Sequence, residues 1–301
     1  MEASQGDVMD AEIDPQPRER MIPLPARGGA MAALDFGPQD RPVDIVFSHA
    51  NGFNGRTYRT TLQPLAQTWR ILALDLRGHG ASTLPAMIEG RQGWLEFRDD
   101  LLALLGAACE APVVLGGHSM GGTSSLLAAA AEPERVRALA LFDPVVMPQE
   151  AQLDPQAVAE SPLVQGALRR RATFSSKAAA REAYQGRGAF RTWTEEQLAD
   201  YVEAGFRATP DGQVTLTCAP AWEASNFRTH NYDAWAAFRQ SRCPTRILRA
   251  QEASTFRIEG HEAELARTGR IQVETVPGTS HFLPMERPEL VRAALAACVG
   301  L

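Results

Sequence analysis

Gly117-His118-Ser119-Met120-Gly121 fits the pattern Gly-x-Ser-x-Gly, the first feature of this sequence that could do chemistry. It follows the apolar run Val113-Val114-Leu115 and precedes an Ala- and Leu-rich stretch from Gly121 to Ala131. Strand, sharp turn and helix, in that order, let such a serine project its hydroxyl from the edge of a sheet. Glycines on either side avoid the Cβ collisions that the turn would impose, and the following helix points its positive end at the site. The competing reading is a glycine-rich connection with no chemistry.

A serine hydroxyl is a weak nucleophile and needs a base. His281, in Pro277-Gly278-Thr279-Ser280-His281-Phe282, follows the last strand-like run and precedes the last helix-like one. That places it on the edge that carries Ser119. His49, His79 and His118 sit beside turns where structural roles would suffice, and His230 and His261 lie outside the motifs. The base needs a carboxylate to hold its tautomer and stabilise the imidazolium. Asp143, in Leu141-Phe142-Asp143-Pro144, and Glu252, in Arg249-Ala250-Gln251-Glu252, each follow a strand and both stand as candidates. Asp143 is preferred, although an Asp before Pro also reads as a turn cap. An oxyanion needs two backbone donors. One is the amide of Met120. The other comes from the turn His49-Ala50-Asn51-Gly52-Phe53, with Asn51 first and Phe53 as the alternative.

Short apolar strands alternate with helical spacing through most of the chain. Strands are expected at 21–26, 29–36, 44–47, 69–76, 112–116, 136–142, 245–249 and 271–276, with helices at 94–108, 121–131, 259–267 and 289–298. This pattern implies a mostly parallel sheet covered on both faces. Residues 145–226 break the rhythm. They are rich in Arg, Gln and Glu, carry Trp193, Trp222, Tyr184, Tyr201 and Phe206, and read as a helical insertion over one edge of the sheet. The expected layout is a disordered tail at 1–18, a core at 19–144 and 227–301, and a helical lid at 145–226.

The hydrophobic fraction is 45% and the charged fraction 22%, which exclude disorder over most of the chain. A net charge of −6 argues against nucleic acid as a partner. No apolar run approaches the ~18–20 residues of a membrane span. Cys109, Cys218, Cys243 and Cys298 lack metal-type spacing and read as reduced thiols, so no metal is expected. With no signal-peptide pattern at the N-terminus, the expected location is cytoplasmic.

Taken in order, Ser48-His49-Ala50-Asn51-Gly52-Phe53, Asp75-Leu76-Arg77-Gly78-His79-Gly80, Gly117-His118-Ser119-Met120-Gly121-Gly122 and Gly278-Thr279-Ser280-His281-Phe282 resemble the motifs of the α/β-hydrolase fold family. The resemblance covers the chain apart from the tail and the insertion. It implies an eight-stranded, mostly parallel sheet flanked by helices, a lid after strand six and no cofactor. Two departures stand out. The turn reads His49-Ala50 where the family usually has His-Gly. The segment after strand seven, Ala250-Gln251-Glu252-Ala253-Ser254-Thr255, has no Asp where the family usually places the acid. Some members carry the acid after strand six, where Asp143 stands. Dehalogenases and epoxide hydrolases of this family use Asp at the position of Ser119.

The first expectation is therefore a serine hydrolase acting on an ester, thioester or lactone of a small molecule, with Phe53, His118, Trp193 and Trp222 as candidate substrate contacts. Carbon–carbon bond hydrolysis or cofactor-free perhydrolysis on the same triad is the second. A non-catalytic protein that binds a ligand or a partner is the third.

Overall fold

The computed structural model describes residues 16–147, 155–229 and 231–301. The expected tail lies almost wholly outside the described residues, as does His230. Among the described residues eleven strands occur: β1 (Arg18–Leu24), β2 (Gly29–Phe36), β3 (Ile45–Ser48), β4 (Ile71–Leu74), β5 (Val113–His118), β6 (Val136–Phe142), β7 (Thr173–Phe174), β8 (Phe206–Ala208), β9 (Val214–Leu216), β10 (Thr245–Ala250) and β11 (Ile271–Val276). Eight of them form one sheet in the order β1-β2-β4-β3-β5-β6-β10-β11. The pairs β1/β2 and β2/β4 are antiparallel and the rest parallel. This is the α/β-hydrolase fold. The first strand begins at Arg18, earlier than expected, because Arg18 pairs with Asp35 across the β1/β2 hairpin.

Both faces of the sheet are apolar, as strands covered by helices on two sides must be. On one face Val46, Leu72, Leu74, Val113, Leu115, Leu139 and Leu141 pack with the helices Leu95–Ala108, Met120–Ala131 and Ala234–Gln240. On the other, Ile45, Phe47, Ile71, Ala73, Val114, Ala140 and Phe142 pack with Leu62, Val291 and Leu295, the last two from the closing helix Pro288–Val299. Alternate residues of the same strands serve opposite faces, which is the period of two of a β-strand.

The described part of the segment after β6 holds the helices Pro155–Ala159, Pro162–Leu168, Lys177–Tyr184, Glu195–Gly205 and Pro220–Arg228. It also holds an antiparallel sheet in the order β7-β9-β8, so an all-helical insertion is not what forms. The helix Pro220–Arg228 runs across the boundary expected after residue 226. Among the described residues no helix is long and apolar enough to cross a membrane, and no group of three or more His, Cys, Asp or Glu could hold a metal ion.

Candidate active site

Ser119 stands between β5 and the helix Met120–Ala131 with φ 55° and ψ −120°. A non-glycine residue in that region is strained and persists only where its surroundings impose it. Here the surroundings are two close backbone approaches. A Cβ on Gly117 would lie 2.5 Å from the Gly121 carbonyl oxygen, and one on Gly121 would lie 2.2 Å from the Ser48 carbonyl oxygen. A side chain at either position would clash, so the two glycines are what allow the turn that presents the serine.

Ser119 Oγ lies 3.0 Å from His281 Nε2, and His281 Nδ1 lies 2.6 Å from Asp143 Oδ2. A carboxylate only accepts, so Nδ1–H donates to Asp143 and the Nε2 lone pair faces the serine hydroxyl. Asp143 is wholly buried and Ser119 nearly so. Burial pushes the Asp143 carboxyl up, but the hydrogen bond and charge of His281, with bonds from Ser254 and the Ala250 amide, outweigh it and hold the group at about 2. Glu252 is exposed on the loop after β10. His281 Nδ1 turns to Asp143 and not to Glu252, so the alternative acid does not join the line.

The turn after β3 commits most of its amides. Ala50 N–H donates to Tyr58 Oη at 3.2 Å, Gly52 N–H to His79 Nε2 at 3.0 Å and Phe53 N–H to the Ala50 carbonyl at 3.1 Å. The Phe53 amide, the alternative donor, is thus spent within the turn. The Asn51 side chain donates to the Glu223 carbonyl at 3.0 Å and accepts from Asn226 Nδ2 at 2.8 Å, which ties the turn to the helix Pro220–Arg228. Met120 is the first residue of its helix, where backbone amides have no intrahelical partner.

His118 departs from expectation as a substrate contact. It is wholly buried, and both ring nitrogens are bonded: Nε2 lies 2.7 Å from the His281 carbonyl and Nδ1 2.7 Å from Tyr58 Oη. Burial, then the charge of His281, pull its pKa down to about 3. The neutral ring must carry its proton on Nε2, so Tyr58 donates to Nδ1 and accepts from Ala50 N–H. One buried path thus joins the turn after β3 to the backbone of the loop that carries His281. His49 and His79 are likewise structural, each donating from Nδ1 to a carbonyl and accepting a backbone amide at Nε2.

Trp222 also falls away from the site. Its Nε1–H donates to the Arg77 carbonyl at 3.1 Å, and its ring packs beneath the Arg91 guanidinium in the core. Phe53 and Trp193 do come together, with ring centroids 5.2 Å apart. Phe282, which follows His281, stacks on Phe53 at 6.3 Å and meets Trp193 at 6.4 Å. Sequence reasoning did not single out Phe282, Tyr58 or the hydroxyls of Ser254 and Thr255. Only Phe282 carried a signal, its adjacency to the base.

A model described as the alpha/beta hydrolase family matches residues 45–294, and the chain belongs to that family. It is 26% identical over 259 residues to 2-(acetamidomethylene)succinate hydrolase of Mesorhizobium japonicum, covering 83% of this chain and 86% of that protein. It is 27% identical over 287 residues to a haloalkane dehalogenase of Sphingobium indicum, covering 91% of this chain and 93% of that one. Among solved structures, E-2-(acetamidomethylene)succinate hydrolase superposes with a TM-score of 0.77 at 22% identity, covering 95% of this chain and all of that one.

Proposed function

We propose that the protein is a serine hydrolase that cleaves an ester, thioester or lactone of a small molecule through an acyl-enzyme. The observation that carries the reading is the unbroken hydrogen-bonded line from Asp143 through His281 to Ser119. His281 Nε2 takes the serine proton as Oγ attacks the acyl carbon. The carbonyl oxygen becomes an oxyanion held by the Met120 and Asn51 amides. The tetrahedral intermediate collapses, and His281 gives its proton to the leaving alcohol or thiol. Water, deprotonated by the same imidazole, then attacks the acyl carbon and releases the acid and Ser119. Asp143 keeps Nδ1–H pointed at itself and offsets the charge of the imidazolium.

The segment after β6 acts as a lid in this reading. Trp193 with Phe53 and Phe282 forms an apolar wall beside His281 for the acyl or alcohol group. The name of the Mesorhizobium relative supports hydrolysis of a small organic acid derivative. The dehalogenase relative does not redirect the reading, because that chemistry would need a carboxylate where Ser119 stands.

The test is labelling with a fluorophosphonate probe. Wild type labels and Ser119→Ala does not. Asp143→Asn slows labelling by about 10³-fold or more, the scale seen when a triad acid is replaced, whereas Glu252→Gln leaves it unchanged. A folded wild type that fails to label would sink the proposal.

A further inference from the structure

We propose that Ser254 and Thr255, on the loop after β10, are positioning residues that clamp the Asp143 carboxylate in the orientation His281 requires. The inference rests on the reading of Asp143 as the triad acid. The usual place for that acid is this very loop, and here it supplies hydroxyls in place of a carboxylate.

Asp143 leaves β6 with φ 43°, and the terminal torsion of an Asp side chain is broad, so its own backbone does not orient its carboxylate. Neighbours do. Oδ1 accepts from Ala250 N–H at 2.9 Å and from Ser254 Oγ–H at 2.5 Å. Oδ2 accepts from Thr255 N–H at 3.0 Å, leaving its other side for His281 Nδ1–H. The Ser254 oxygen itself accepts from Phe256 N–H at 3.0 Å, which directs its proton onto Oδ1. Thr255 Oγ1 lies 3.0 Å from the Asp143 carbonyl and 3.3 Å from both Oδ2 and His281 Nδ1. It thus touches acid, base and backbone together.

The loop that carries these groups is itself fixed. Val146 N–H donates to the Thr255 carbonyl, and Arg257 N–H donates to the Val146 carbonyl, each at 3.0 Å. Ala253, at φ 49°, turns the chain so that Ser254 faces inward while Glu252 stays in solvent. Without the Ser254 hydroxyl, Oδ1 keeps one donor and the carboxylate gains rotational freedom about its terminal torsion. His281 would then spend less time with Nε2 aimed at Ser119. Binding of substrate does not use this contact, so the loss falls on turnover.

The experiment compares wild type, Ser254→Ala, Thr255→Val and Thr255→Ser for hydrolysis of p-nitrophenyl butyrate, with fluorophosphonate labelling and melting temperature recorded for each. Ser254→Ala is expected to lower kcat by about 10- to 100-fold, the worth of one hydrogen bond to a charged group, and Thr255→Val, which keeps the backbone N–H on Oδ2, by about 3- to 10-fold, with KM essentially unmoved in both. Thr255→Ser, which restores the hydroxyl, is expected to recover most of kcat. If wild type labels and turns over while the variants match it, the clamp is wrong and the triad reading survives. If Thr255→Ser is as impaired as Thr255→Val and both melt early, Thr255 is only a packing residue and the clamp is likewise overturned. If wild type neither labels nor turns over, the triad reading fails and takes the clamp with it.

Discussion

At Asp143, burial and hydrogen bonding oppose each other, and the balance sets how the protein responds to acid. The folded carboxyl sits at about 2, whereas an unfolded one titrates near about 3.9. A value depressed by folding contributes stability above the unfolded value, and that contribution is lost as the pH falls through the folded one. It amounts to about 2–3 kcal/mol, complete above roughly pH 5 and gone by roughly pH 1. Urea midpoints of wild type and Asp143→Asn should therefore converge as the pH drops from 5 toward 2. A gap that does not narrow would mean that the carboxylate charge contributes nothing. The choice between Asp143 and Glu252 was open in the sequence for a residue-scale reason: both follow a strand. What separates them is the turn at Ala253, a left-handed residue that no glycine announces.

The turn at Ser119 is the element most open to sequence reading, because its geometry leaves so few residue types available. Gly121→Ala tests that directly. The added methyl would meet the Ser48 carbonyl at 2.2 Å, and that oxygen belongs to the backbone of a central strand and cannot move aside. We expect a loss of about 1–3 kcal/mol or more in stability, together with loss of labelling, read by thermal melting and the fluorophosphonate assay. Alanine tolerated at wild-type stability would refute the close approach. The strands of the main sheet were legible for a similar reason, since their apolar runs are covered on both faces. The small sheet β7-β9-β8 was not. Its strands span two or three residues, Thr173–Phe174, Phe206–Ala208 and Val214–Leu216, too short for alternation to register against helix-like neighbours. Trp222 misled for a different reason: an indole in an insertion suggests a pocket, but its N–H is spent on the loop after β4.

Across the whole molecule, buried arginine–carboxylate pairs join parts that are distant in sequence. Asp100, on the helix Leu95–Ala108, accepts from Arg77 Nε and Nη2, each at 2.7 Å, and from Arg27 Nε at 2.6 Å. It thereby fastens the turn after β1 and the loop after β4 to one helix. Arg59 donates to Asp200 at 2.8 Å and so links the core to the inserted segment. Removing one partner of such a buried pair leaves an uncompensated charge, so Asp100→Ala should cost about 3–5 kcal/mol in a denaturant titration. A cost below about 1 kcal/mol would show that water reaches the arginines. None of these pairings is legible in sequence, where thirty basic and thirty-six acidic residues offer many partners for each group.

The path from Ala50 through Tyr58 and His118 to the His281 carbonyl settles the direction of traffic. Its side chains are sealed from solvent, and each proton in it has one resting place, so no link can turn without unseating the next. That makes it a floor, closed to anything arriving from beneath. His281 and the Phe282 ring beside it keep part of their surface in solvent, as does Trp193, which meets the Phe282 ring. In the proposed reading a visitor to the serine passes these rings, so the doorway and the workbench share a wall.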